Sequence, residues 1–182
     1  MCFDVNTGEG VYQRLDKVNS DFFEWIRASA SMPVVAQPVE VGGRLLLDGG
    51  LADSIPLEFM MGKGYERNVV ILTREEGFRK TTEHGMWLMK HLLRKWPKVI
   101  EALQHRPAHY NRQLQFVREQ EREGRAFVFR PAKPLDVSRT THDPKEMDRV
   151  YQQGREEALQ RLDELKAFLD GGQQPPSQQA HE

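Results

Sequence analysis

Residues 44–58 read RLLLDGGLADSIPLE. An apolar run ends on an acid, two glycines follow, and the chain turns toward Pro56. Successive side chains of a strand point to opposite faces, so Leu45, Leu46 and Leu47 together predict a strand covered on both sides. Asp48 then stands at the strand tip, followed by Gly49 and Gly50. Asp-Gly is a common turn dipeptide, and a plain turn is one reading. The other is chemical. Glycine permits positive φ and lets a neighbouring group come close, and open α/β sheets place ligands at the carboxyl ends of strands. A carboxylate there can act as general base, or orient one, for a nucleophilic serine.

The surrounding stretches extend the pattern. VVAQPVEV (34–41) and RLLLD (44–48) are separated by Gly42-Gly43, which predicts a tight hairpin. Met1–Val5 runs into the turn-rich NTGEG, and VYQRLD resumes an extended pattern, so a hairpin of two short strands is expected at the start. Ser20 is expected to cap a helix over DFFEWIRASA, with Asp21 and Glu24 near its N-terminus and Pro33 stopping it. A short helix over Pro56–Met61 leads through MGKGYERN to the apolar NVVILT. Strand, short helix, strand predicts a βα unit of an α/β sheet. GKG at 62–64 reads as turn chemistry and REEGFRK at 74–80 as a solvated loop.

After Glu83 the character becomes helical. MWLMKHLLRKWPKVIEAL (86–103) carries apolar residues at 88, 89, 92, 93, 96, 99, 100 and 103, a helical stripe that Pro97 kinks or divides. AHYNRQLQFVREQEREG (108–124) is expected as a second helix closed by Gly124. RAFVFRP (125–131) reads as a short strand. Asp143 caps the last helix, Pro144 takes its first position and Glu146 completes a capping box. Its stripe runs Met147, Val150, Tyr151, Gly154, Ala158, Leu162, Leu165 and Leu169 to Gly171. GGQQPPSQQAHE (171–182) is too polar to fold and is expected to be a disordered tail. The expectation is thus an α/β fold: a partial layered sheet in residues 1–73, then a mainly helical region. The divisions fall at 1–80, 81–170 and 171–182.

Composition narrows the function. Lys and Arg number 26 against 27 Asp and Glu, so nothing points to nucleic acid. No apolar run approaches the roughly 20 residues of a membrane span. A single cysteine, Cys2, excludes an internal disulfide, and the N-terminus shows no secretory signal, so a cytoplasmic location is expected.

In order and spacing, NTGEGVY (6–12), IRASASMP (26–33) and PVEVGGRLLLDGGLADSIPLE (38–58) resemble the patatin-like phospholipase family. YNRQLQFVREQEREGRAFVFRP (110–131) and VYQQGREEAL (150–159) look like the C-terminal extension of its bacterial members. The resemblance implies a serine acyl hydrolase of lipid esters with a Ser-Asp dyad, its aspartate in a D-G-G motif. Here that motif is Asp48-Gly49-Gly50. No cofactor or metal is implied, and the substrate would be a lipid or other ester.

The family's serine sits in a G-x-S-x-G elbow, which this sequence lacks. Its serines are 20, 29, 31, 54, 138 and 177. Ser20 reads as a helix cap, and Ser29 and Ser31 as small packing residues rather than nucleophiles. The expectation is the C-terminal portion of such an enzyme, holding the acid without the nucleophile and inactive alone. His84, His91, His105 and His109 follow Asp48, but the dyad uses no histidine. His105 and His109 are four apart with Pro107 between them and no HExxH glutamate, so they read as surface histidines rather than metal ligands.

A second reading is a non-catalytic module. The helix predicted over 86–103 sets Trp87 among Lys90, Arg94, Lys95 and Lys98, a composition suited to peripheral contact with an anionic membrane. Against it stands a stripe facing the core with lysines facing water. An uncovered sheet edge would further favour self-association.

Overall fold

The computed structural model describes residues 1–81, 85–138 and 141–171; the expected tail lies, from residue 172 onward, outside the described residues. In chain order the elements are β1 (Cys2–Asp4), β2 (Gly10–Val11), α1 (Ser20–Ser29), β3 (Val39–Val41), β4 (Arg44–Asp48), a 3-10 turn (Gly49–Leu51), α2 (Leu57–Gly62), β5 (Asn68–Ile71), α3 (Met86–Leu92), α4 (Pro97–Arg122), β6 (Ala126–Phe129), α5 (Pro144–Gln160) and α6 (Leu162–Leu169). The content is mixed α/β, as expected. They form two compact units, one of residues 1–56 with 79–115, the other of residues 57–78 with 116–182.

The first unit is built on a sheet of order β2-β1-β4-β3 with every pairing antiparallel. Gly42 and Gly43 have φ of 58° and 70°, the two left-handed residues that a type I′ hairpin requires, and Val41 faces Arg44 across it. The first hairpin pairs Cys2 with Val11 and Phe3 with Gly10. Its turn folds around the buried Asp4, whose Oδ1 accepts the N–H groups of Asn6 (2.9 Å) and Thr7 (3.2 Å).

β4 is covered on both faces, as its leucines predict. Leu46 packs with Cys2, Ala28, Val39 and Val41 on the α1 side. Leu47 packs with Phe3, Val5, Leu51, Leu93, Val99 and Leu103 on the other. The cap of α1 falls one residue earlier than expected. Asn19 accepts the Phe22 N–H at 2.9 Å, and Ser20 becomes the first helical residue. Asparagine caps at least as well as serine, so position decides between them.

Pro97 divides the predicted helix 86–103. It opens α4, where a missing N–H loses nothing. α4 then continues for 26 residues through Pro107, absorbing the helix expected to begin at Ala108. An interior proline costs about 3 kcal/mol; burial of Val99, Leu103 and Leu114 along α4 offsets it.

In the second unit β5 and β6 pair in parallel, from Asn68–Ala126 to Ile71–Phe129. The predicted βα unit of RLLLD and NVVILT does not form in one sheet. Both edges of β4 are already taken by β1 and β3, which leaves β5 no place beside it. β5 and β6 make a sheet of two, and Ile71 is 76% exposed.

Asp143 caps α5 through the Lys145 N–H at 3.0 Å, with Pro144 at the first position, and Glu146 is held by Arg149. The predicted single stripe is broken at Arg161, between α5 and α6. The Arg161 guanidinium lies over Phe127 at 4.4 Å and donates to the Val128 carbonyl at 2.7 Å, anchoring the helix junction to β6. The stripe itself stays largely open: Met147 and Tyr151 are exposed.

Candidate active site

Asp48 closes β4 opposite Cys2, and its backbone N–H donates to the Ser31 carbonyl at 2.8 Å, which ties the strand tip to the chain just after α1. The half-buried carboxylate accepts the Gly50 N–H at Oδ1, 2.7 Å away, and so caps the 3-10 turn. A bond to an ionised acceptor is stronger than a neutral one, so the carboxylate has a fixed direction.

Close approach requires glycine at position 49 and leaves little room at position 50. Neither takes a left-handed φ, so only half of the sequence argument for them holds. A Cβ on Gly49 would lie 2.6 Å from the Met1 carbonyl oxygen and 2.8 Å from its carbon, both backbone. On Gly50 it would lie 3.1 Å from Asp48 Oδ1.

Behind the turn is a network that the sequence does not announce. The Gly50 carbonyl accepts from Ser54 Oγ at 2.7 Å and from Arg106 Nε at 2.9 Å. Gln113 accepts the Ser54 N–H at 3.2 Å through Oε1 and donates through Nε2 to Asp53 Oδ1 at 2.6 Å. Tyr12 donates its hydroxyl to the other oxygen of Asp53. Arg106 and Gln113 stand seven apart on α4, hence on one face. That spacing is visible in the sequence, but their partners on residues 50–54 are not.

Ser31, read from the sequence as a packing residue, is buried beside Asp48 through its own carbonyl. Its hydroxyl donates to the Arg27 carbonyl at 2.8 Å and finishes α1. Ser54 likewise spends its hydroxyl on Gly50.

Cys2 is buried, with Sγ 3.7 Å from the Trp25 carbonyl. Burial pushes its thiol above the ordinary range; the N-terminal ammonium draws it back, and the Asp48 carboxylate pushes it up again. The unfolded chain therefore ionises this thiol first, and the stability it contributes is lost as pH rises past the ordinary thiol range. Urea unfolding at a series of alkaline pH values should show that decline, and Cys2→Ala should flatten it. Asp48→Asn should speed alkylation of the folded thiol at mildly alkaline pH.

Two families match the chain. Residues 2–61 match the model described as patatin-like phospholipase, and residues 96–170 match a domain of unknown function (DUF6363). Residues 2–61 are thus similar to the patatin-like phospholipase family. Asp48, Gly49 and Gly50 all lie in the patatin-like segment, together with both hairpins and α1. Residues 110–131 and 150–159, which resemble the C-terminal extension of bacterial members, fall within the segment matched by the domain of unknown function. Arg106 and Gln113 belong to that second segment too, so side chains outside the patatin-like match hold its D-G-G turn.

The other sequence candidates lie on α3, on α4 and in the link between them. A cavity of about 420 Å³ has Phe3 and Leu51 in its lining, with Lys98, His105 and His109 along α4. Phe3 and Leu47 share the sheet face opposite to Leu46 and Asp48. Because α4 continues through Pro107, His105 and His109 do share a helix face, with ring centroids 6.5 Å apart. Among the described residues no group of three or more His, Cys, Asp or Glu is placed to hold a metal ion. Lys98 sits on α4 and pairs with Glu101 at 3.1 Å, whereas Trp87 and Lys90 lie on α3, and Arg94 and Lys95 in the link between the two helices. No helix of the described residues is long and apolar enough to cross a membrane.

Proposed function

We propose that the patatin-like segment contributes Asp48 as the acid of a Ser-Asp dyad for hydrolysis of lipid acyl esters. The observation that carries this reading is the carboxylate fixed by Gly50 N–H at the end of β4, inside the matched segment. With Oδ1 engaged, Oδ2 takes the proton of a serine attacking an acyl carbonyl. The same oxygen then draws a proton from the water that hydrolyses the acyl-enzyme. No metal step is needed for this chemistry. The serine comes from a G-x-S-x-G elbow, a motif not found among residues 1–182, so this chain alone turns over no ester.

The test is reconstitution. The chain is mixed with a fragment of a patatin-like phospholipase that carries the elbow but lacks its own D-G-G segment, and p-nitrophenyl ester release is followed. Turnover is expected only in the mixture. Release by the chain alone, or none in a mixture shown to assemble, would overturn the proposal.

One observation favours a second reading, docking to an anionic membrane. α3 is apolar on two sides. Met86 and Met89 pack against the core, while Trp87 (76% exposed), Leu88 and Leu92 face solvent. Lys90, Arg94 and Lys95 are exposed nearby. Vesicles rich in phosphatidylserine should then sediment the chain. Each basic residue near such a surface contributes about 1 kcal/mol, so reversing these three to glutamate should weaken binding by about a hundredfold or more. Unchanged sedimentation of that variant removes the helix from consideration.

A further inference from the structure

We infer that α4 sets the direction of the Asp48 carboxylate, with Arg106 and Gln113 as positioning residues. The catalytic meaning of this rests on the dyad reading, but the positioning itself does not. A Gly-Gly turn has no side chains to pack and the widest backbone freedom of any dipeptide. Left to itself, Gly50 would give Asp48 an N–H in many orientations. What fixes Gly50 is its carbonyl, which accepts two donors, Ser54 Oγ at 2.7 Å and Arg106 Nε at 2.9 Å. Two donors fill both lone pairs of a carbonyl oxygen, so the residue is pinned at its carbonyl as well as at the N–H it gives to Asp48.

The Ser54 donor is itself held in place. Gln113 grips the Ser54 N–H with its oxygen and Asp53 with its nitrogen, and Tyr12 completes Asp53 from the end of β2. Arg106 and Gln113 stand two turns apart on one face of α4, so the helix touches residues 50–54 at both ends of the turn. Hydrogen bonds thus run from α4 through Gly50 to Asp48 Oδ1, all inside the first compact unit. They link the segment of unknown function to the acid of the patatin-like segment.

The experiment is amide hydrogen exchange with carboxyl-carbon NMR on the full chain, comparing Arg106→Met, Arg106→Lys and Gln113→Ala, with the exposed Arg112→Met as reference. Loss of a charged hydrogen bond should speed Gly50 N–H exchange about tenfold or more in Arg106→Met. The Asp48 carboxyl resonance should shift, while Leu46 and Leu47 keep their protection. Arg106→Lys, which can still donate to Gly50, should recover most of the effect, and Gln113→Ala should show a smaller change of the same kind. Three results would overturn the inference: Gly50 exchange unchanged in Arg106→Met, equal loss of protection at Leu46 and Leu47, or Arg106→Lys behaving like Arg106→Met. These readouts do not involve ester turnover. If Asp48→Asn leaves the reconstituted enzyme unaffected while Gly50 behaves as described, the dyad fails and the positioning stands.

Discussion

Alanine at Leu47 should destabilise the first unit by about 2–5 kcal/mol, the range for deleting a buried leucine side chain. The upper part of that range is expected. Leu47 is 1% exposed, and its neighbours come from β1, the 3-10 turn, the end of α3 and α4. A hole walled by that many independent elements cannot be closed by shifting one of them, and residual cavity volume sets the loss. β4 is also the inner strand, paired on both edges, so it cannot move toward the gap without breaking two ladders. Leu47→Met, which conserves volume, should lose less than about 1.5 kcal/mol. Urea unfolding followed by tryptophan fluorescence measures both. A loss below about 1 kcal/mol in Leu47→Ala would mean that α4 does not seal this face of the sheet.

This strand is also where the sequence was most legible. Three leucines in succession are informative because parity puts them on both faces, and Leu46 and Leu47 do fall in separate clusters. Gly42-Gly43 was legible for a similar local reason, since few dipeptides suit two left-handed residues. The pairing of β5 was not. NVVILT reads as a strand by itself, but which strand it joins depends on whether β4 has a free edge, a fact about β1 and β3. The course of α4 through Pro107 escaped too, because the burial that outweighs a proline is distributed over distant residues.

At the candidate site the difference has a chemical cause. Asp48 could be singled out because its D-G-G stands among stretches that resemble the patatin-like family, whereas the acid and glycines alone read equally as a turn. Arg106 and Gln113 could not, because their partners are a backbone carbonyl, a backbone N–H and an aspartate of ordinary turn sequence. Backbone partners leave no trace in the identity of the residue that supplies them. The glycines answer to closeness rather than to positive φ: the Met1 backbone excludes a Cβ at Gly49, and Asp48 Oδ1 crowds one at Gly50.

Asp48→Asn should reduce ester turnover in the reconstituted enzyme by about a hundredfold to ten-thousandfold, the usual contribution of a positioned general base. Asparagine suits the test because it keeps what the fold needs. Its side-chain oxygen can still accept the Gly50 N–H, so the 3-10 turn and the cap survive, while the oxygen that would take the serine proton becomes an amide. Stability should therefore change by no more than about 1 kcal/mol, the loss of charge from a single capping bond. Asp48→Ala would confound the two effects by leaving Gly50 N–H without its acceptor. Asp48→Glu separates charge from place: it retains a carboxylate but moves it outward by a methylene. A misplacement of about 1 Å can cost about a hundredfold, so glutamate should rescue little. Asparagine and glutamate both inactive, both folded and both still binding the elbow fragment would mean that a carboxylate is needed at this position and no other. Turnover in Asp48→Asn equal to wild type would reduce Asp48 to the cap of a turn. The two glycines after it would then be explained entirely by the backbone of Met1 and the carboxylate they fold against.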